Sequence, residues 1–360
     1  MSDYREAFDI KPFSLGKSDK EVFLTERFRD LSLRHYENCR AYRGFVDMLG
    51  LDLGRMGSYY DVPFLPVSLF KELDLLSVPK EDVFKTITSS GTTGQAVSKI
   101  FLDKNTSANQ QKVLVKIVSD FIGGSRAPML IIDSADVLKN RSMFSARGAG
   151  ILGFSVFGAN TTYALDGDMN PDIDAIESFL AKHEGKRILL FGFTYIVWQN
   201  FFKALQDRGR KLSIPQGILI HGGGWKKLVE EAVSPEEYVS ALKGYFGLDK
   251  VLDYYGMAEQ TGSIYMQCEE GRLHASLFSD VIVRRSKDFS PCAAGEKGII
   301  QVLSTIPESY PGHSLLTEDE GMITGEDDCP CGRLGKTFVV SGRIKEAEIR
   351  GCSDTYAAEH

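Results

Sequence analysis

Residues 86–102, T-I-T-S-S-G-T-T-G-Q-A-V-S-K-I-F-L, put the hydroxyls of Ser89, Ser90, Thr92 and Thr93 within five residues and set Gly91 and Gly94 among them. Hydroxyl donors beside glycines that allow positive φ and close approach of backbone N–H groups suit a multiply charged anion such as a triphosphate. The spacing is not that of a Walker loop, because Lys99 lies five residues beyond Gly94. An ordinary Ser/Thr/Gly surface loop has the same composition. A second set combines Cys268 and His274 with Cys329 and Cys331 of C-P-C-G-R. Three thiolates and an imidazole complete a closed tetrahedral zinc site, which is a structural role. The C-x-C is tighter than finger spacing, so unliganded cysteines are the competing reading. Glu259 follows a strand-like run, Val251 to Tyr255, where a carboxylate can hold Mg²⁺ against phosphates or simply be solvated. Gly222, Gly223 and Gly224 admit a flat ring close to the backbone. Lys226, after Trp225, can meet a phosphate or an acyl carbonyl, or only solvent. Near the C-terminus Cys352 has Arg350 to lower its pKa and Glu346, Glu348 and Asp354 to raise it.

The order of these motifs resembles the adenylate-forming superfamily. S-S-G-T-T-G (89–94) is similar to its phosphate-binding signature, and Y-Y-G-M-A-E (254–259) to its Y-G-x-T-E. T-E-D-E-G (317–321) is similar to its T-G-D-x-G, and S-G-R (341–343) to its hinge-side G-R. The resemblance implies that residues 89–94 cradle ATP phosphates, that Tyr255, Gly256 and Glu259 border ATP and Mg²⁺, and that the triglycine lines the adenine pocket. It also implies that Asp319 binds ribose hydroxyls and that Arg343 lies near the ribose and the hinge. With T-E-D in place of T-G-D, that loop is expected to sit differently. C-E-E-G-R-L-H and C-P-C-G-R are similar to elements of phenylacetate-CoA ligases and their relatives, which favours structural zinc.

Superfamily members continue for roughly a hundred residues beyond the G-R hinge, the size of a small domain, and carry a catalytic lysine there. The implied fold is therefore α/β: the large N-terminal-type domain with a β-rich C-terminal subdomain, lacking the usual small C-terminal domain. Residues 1–340 form the adenylation domain and 341–360 a tail. This truncation, G-G-G-W-K and the terminal R-G-C-S-D resemble the acyl-protein synthetases (LuxE), in which a cysteine near the C-terminus accepts the acyl group; Cys352 matches it. The resemblance implies ATP-dependent activation of a fatty or other carboxylic acid, self-acylation on Cys352 with Lys226 standing in for the missing lysine, and handover to a partner such as an acyl reductase. Two alternatives remain: an acyl- or aryl-CoA ligase whose small domain is lost or supplied by another chain, and a non-catalytic, zinc-stapled nucleotide-binding protein.

The elements that must position these residues follow from periodicity. Phe23, Leu24, Phe28, Leu31 and Tyr36 predict a helix over 20–41. Helices are expected at 105–121, 171–183 and 195–207, alternating with strands at 128–133, 187–193 and 217–221, a pattern of α/β layers with a mostly parallel sheet. Ser234-Pro235-Glu236-Glu237 predicts a helix start and Gly247 its stop. Short strands at 264–267, 281–284, 298–303 and 337–340 predict the β-rich part. Apolar runs at 147–158 and 191–195 suit an acyl pocket or simple core. With 360 residues, 43% of them hydrophobic, the chain can bury a large core. A net charge of −7 argues against nucleic acid as the main partner. Ile188 to Phe202, the most apolar segment, is too short and interrupted for stable membrane insertion. The charged N-terminus lacks a signal-peptide run, which places the protein in the cytoplasm. Six cysteines in a chain of this length do not suggest a disulfide scaffold.

Overall fold

The computed structural model describes residues 4–89, 97–139, 146–225 and 232–344. The chain divides into two compact units, Met1–Ile117 with Met257–His360, and Val118–Gly256.

The first unit opens with a helix, Lys17–Asn38, that buries Phe23, Leu24, Phe28 and Leu31. It ends earlier than the periodicity suggests, because Cys39 adopts an extended conformation and a second helix, Arg40–Met48, starts after it. His35, rather than Tyr36, continues the buried stripe of Leu24, Phe28 and Leu31 at helical spacing. Tyr36 is half-buried and donates its hydroxyl to Asp47 Oδ1 at 2.7 Å. Beyond a two-residue strand β1 (Leu65–Pro66), strands β2 (Lys85–Thr88) and β3 (Lys99–Leu102) pair antiparallel, with Thr88 opposite Lys99. The hydroxyl-rich stretch is thus the connection of a hairpin. The expected helix follows at Lys104–Ile122, and Gly123 stops it with φ +81°.

The second unit is a parallel sheet of β4 (Ala127–Ser134), β5 (Gly158–Leu165), β6 (Ile188–Phe193), β7 (Gly217–Gly222) and β8 (Lys250–Tyr255), in the spatial order β5-β4-β6-β7-β8. β7 is buried along its whole length, as expected of a parallel strand covered on both faces. The apolar run at 147–158 forms the helix Ala146–Phe154, a single turn and the first residue of β5. Helix Ile173–Lys182 starts after Asp172, whose side chain accepts the Ala175 N–H, so Pro171 lies outside it. The segment expected as a helix at 195–207 is helical from Thr194, but Val197–Lys203 is π-helical. Helix Pro235–Phe246 has the expected Ser234 cap, which accepts the Glu237 N–H at 3.1 Å, and Gly247 closes it at φ +69°.

The remainder of the first unit is the expected β-rich part: β9 (Tyr265–Gln267), β10 (Leu273–His274), β11 (Ser279–Arg284), β12 (Gly298–Ser304), β13 (Ser314–Glu326) and β14 (Lys336–Arg343), in the order β11-β12-β13-β14-β10-β9. The longest of these strands, β13, has no counterpart in the sequence expectations. Its T-E-D-E-G and T-G-E stretches are polar and glycine-bearing, and such residues are depleted in strands. T-E-D is therefore in a strand, not a loop. The β12–β13 connection is buried at every residue from 305 to 313 except the half-buried Glu308.

Three buried histidines stay neutral in this fold. Burial holds His221 and His313 down to about 3 and His35 well below the ordinary value, and His313, stacked on His35 at 4.8 Å, adds to the last effect. In the unfolded chain each takes up a proton near pH 6.5. Below that pH the unfolded state binds more protons than the fold, so stability is present above 6.5 and is lost as pH falls toward about 3. Urea unfolding should show the midpoint dropping between pH 7 and pH 5, each histidine contributing up to about 1.4 kcal/mol per pH unit; a flat profile would contradict this burial.

Candidate functional site

In the first unit, the hairpin that leads into the hydroxyl-rich stretch is closed at its base. Ser89 donates its N–H to Ser98 O at 3.1 Å, and Ser98 donates its N–H to Ser89 Oγ at 3.0 Å. Ser90, Gly91, Thr92, Thr93 and Gly94 lie outside the described residues, as do Lys226 and Cys352. Lys99, on β3, pairs with Asp74 at 3.2 Å. Glu259 sits in a single turn, Ala258–Gln260, and is 6% exposed. The residue as a whole is nearly covered although it lies in a turn. Its main-chain oxygen accepts the Tyr310 hydroxyl at 2.8 Å.

Asp319 and Arg343, 24 residues apart in the chain, are direct partners across the β13–β14 ladder. Arg343 Nε is 3.8 Å from Asp319 Oδ1, and its Nη2 is 3.8 Å from Glu318 Oε2. Thr317 fixes the approach: its hydroxyl donates to Ile300 O at 2.8 Å and accepts the Asp319 N–H at 3.1 Å. Gly321 follows because a Cβ there would lie 2.2 Å from Val339 O. Two residues with separate motif origins thus share one edge, where a carboxylate can accept hydroxyl protons beside a guanidinium.

The four metal-ligand candidates meet. Cys268, His274, Cys329 and Cys331 place their ligand atoms within 4.8 Å of one another. Cys268 Sγ lies 3.8 Å from Cys329 Sγ, and Cys331 Sγ lies 3.4 Å from His274 Nε2. These separations match the edges of a tetrahedron with metal–sulfur bonds of about 2.3 Å and a metal–nitrogen bond of about 2.0 Å. Cys268 comes from the β9–β10 turn, where Gly271 takes φ +72°, and His274 from β10 itself, while the connection between β13 and β14 supplies the other two, with Gly332 at φ +79°. Burial raises the thiols of Cys268 and Cys329; at Cys331 burial acts the same way, but the Arg333 amide and neighbouring thiols bring it below its ordinary value. Backbone N–H groups of Arg272 and Glu270 point at the Cys268 sulfur. Sulfurs that accept amide protons in a closed N/S cluster fit a bound cation.

In the second unit, Gly222 ends β7 against the Tyr254 ring, where a Cβ would sit 2.4 Å from Cε1. Gly223 takes φ +81°, and Gly223 and Gly224 are exposed, so a flat group can approach them. Tyr255 is half-buried at the end of β8 and Gly256 is exposed beside it. The motif reading missed the polar groups at neighbouring strand ends. His221 Nδ1 lies 3.0 Å from Thr194 Oγ1 and 3.7 Å from Asp253 Oδ1, and its ring packs on Tyr238. Asp253 keeps 42% of its side-chain surface open, yet the low-dielectric wall around it lifts its carboxyl above the usual range, against the pull of the Tyr254 amide. At the end of β4, the fully buried Asp133 binds Arg147 in bidentate fashion, with Nε at 2.6 Å. The carboxyl ends of strands in an open parallel sheet are where ligands bind, and sequence offers that signal once the strands are assigned. The runs at 147–158 and 191–195 do meet, with Phe154 stacked on Phe191 at 4.3 Å, but both rings are core.

This architecture is shared with adenylate-forming ligases. The structure resembles 2-hydroxyisobutyryl-CoA ligase in its post-adenylation state, with a TM-score of 0.71 and 14% identity, covering 93% of this chain and 69% of that one. A long-chain-fatty-acid–luciferin-component ligase of Vibrio harveyi is 23% identical over 328 residues, 89% of this chain and 83% of that protein. A phenylacetate-coenzyme A ligase of Thermus thermophilus is 23% identical over 335 residues, 89% of this chain and 69% of its own length. The model of the family described as acyl-protein synthetase, LuxE, matches residues 3–359. The chain belongs to that family and is a ligase of the adenylate-forming type. Among the described residues no helix is long and apolar enough to cross a membrane.

Gly222→Ala should force the Tyr254 ring aside and lower unfolding stability by about 1–3 kcal/mol, the usual cost of overpacking. Denaturant unfolding checks this; an unchanged midpoint would mean that the contact at the end of β7 is loose.

Proposed function

We propose that the chain activates a long-chain fatty acid with ATP and accepts the acyl group on Cys352 as a thioester, for transfer to a partner such as an acyl reductase. The family match over residues 3–359 carries this reading. A carboxylate oxygen of the acid attacks the α-phosphorus of ATP, and the bond to pyrophosphate breaks. Hydroxyls and amides of residues 89–94 meet the charge on the phosphates, and Asp319 accepts hydrogen bonds from the ribose hydroxyls while Arg343 flanks it. The triglycine and Tyr255-Gly256 border the adenine. Glu259 would hold Mg²⁺, which neutralises phosphate charge when bound. Lys226 is the residue assigned to the acyl carbonyl. The Cys352 thiolate then attacks that carbonyl carbon, AMP leaves, and the protein carries the acyl group. Consumption of ATP fits a cytoplasmic location.

The cation of Cys268, His274, Cys329 and Cys331 is zinc in this reading, because three thiolates and one imidazole with no open position match its structural sites. Metal analysis of the purified chain should return about one zinc ion, and Cys329→Ser or His274→Ala should lose it together with thermal stability. A full complement of zinc in both variants would remove the assignment.

Intact mass after incubation with ATP, Mg²⁺ and fatty acids should rise by one acyl group, an adduct that hydroxylamine reverses and Cys352→Ser abolishes. The likeness to phenylacetate-coenzyme A ligase favours one second reading, a CoA ligase, for which AMP would form only when CoA is added and Cys352→Ser would be fully active.

A further inference from the structure

We propose that Tyr310 is a positioning residue for Glu259; the inference rests on the reading above that Glu259 holds Mg²⁺. Glu259 lies in a one-turn segment with no ladder of its own, so its placement depends on what grips its backbone. That grip comes from the 305–313 connection. Connections normally run over the surface because a buried one leaves main-chain polar groups without water. Here the carbonyls find protein donors instead. Thr305 O accepts Arg27 Nε at 2.9 Å, Glu308 O accepts Arg34 Nε at 2.9 Å, and Ser309 O accepts the Ser77 N–H at 2.8 Å. Pro307 O lies 3.1 Å from His35 Nε2. The loop is therefore a fixed platform.

From it the Tyr310 side chain, 0% exposed, reaches the Glu259 carbonyl. The fit leaves no slack: a Cβ on Gly312 would lie 2.2 Å from the Tyr310 ring and 2.9 Å from Glu259 O. The next residue is held as well, since Gln260 Nε2 donates to Gly312 O at 2.8 Å and Val302 O at 3.1 Å. On the far side Gly262, at φ +95°, is backed onto the main chain of Gln110, where a Cβ would meet Gln110 O at 2.6 Å. The hydroxyl of Tyr310 thus fixes the height of the Glu259 backbone, and through it the carboxylate.

Tyr310→Phe keeps the ring and removes only that donor. In the full-length chain, binding of Mn²⁺ with ATP, followed by electron paramagnetic resonance, should weaken by roughly 2- to 12-fold, the span expected for one buried hydrogen bond. The Mg²⁺ concentration that half-saturates pyrophosphate release should rise in step, with kcat at saturating Mg²⁺ nearly unchanged. Tyr265→Phe is the control: Tyr265 is also fully buried and donates to a main-chain oxygen, Asp280 O at 2.8 Å, away from Glu259. It should lower thermal stability without moving metal affinity. Wild-type metal affinity in Tyr310→Phe, or an equal shift in Tyr265→Phe, overturns the proposal. If Tyr310→Phe does not fold, Gln260→Met tests the same grip and should shift affinity in the same direction; wild-type affinity there overturns it too. Glu259→Gln separates the levels: unchanged metal affinity in that variant would sink the Mg²⁺ reading itself, and the inference with it.

Discussion

Asp280 is a fully buried carboxylate, and the first unit is built around keeping it charged. Lys336 Nζ lies 3.5 Å from one of its oxygens and Lys20 Nζ 4.0 Å from the other. Burial pushes the carboxyl up, but the two ammonium groups and the Tyr59 hydroxyl hold it below its ordinary value. The second lysine is not redundant, because each ammonium has its own protein acceptors: Lys20 donates to Ala275 O, and Lys336 bonds Tyr59 Oη and Val281 O. Removing one member of such a group strands a charge, at a cost of about 3–5 kcal/mol. The arrangement joins the N-terminal helix to β11 and β14, which are more than 250 residues away from Lys20 in sequence.

β14 links this group to the candidate site residues. Lys336 begins the strand, Thr337 pairs with His274 of the cation cluster, and Arg343 ends it opposite Asp319. The ladders flanking β14 are uneven: β10 contributes only two residue pairs, and the β13 pairing slips register twice. The two slips mean that the β13 ladder does not by itself hold one continuous register. The buried charges at one point and the Cys₃His cluster beside it supply what the ladder does not.

The second unit meets the same demand differently. Its inner parallel strands β4, β6 and β7 are buried nearly throughout and need no polar anchor along their length, so their polar residues are concentrated at the carboxyl ends, whereas the edge strand β5 exposes Asn160 and Thr161 in its middle. Asp133, Thr194, His221 and Asp253 all sit there, and glycine at 222 lets the Tyr254 ring close over the end of β7.

Much of this was legible in the sequence because it depends on neighbours along the chain. The helix cap at Ser234, the alternation of strands and helices, and the closeness of Cys268 to His274 and of Cys329 to Cys331 rest on local spacing, while the motif order rests on resemblance to a known family. Local spacing also misled where tertiary contacts outweighed it. T-E-D-E-G has poor strand propensity, which hides β13 and which pairing on both sides overrides, and periodicity places Tyr36 on a face that His35 occupies. The partnership of Asp319 with Arg343, the clamp on Asp280 and the hold of Tyr310 on Glu259 left no trace in spacing. Each joins residues separated by tens to hundreds of positions, and such contacts are decided by which strands pair and which polar groups must be satisfied once water is excluded.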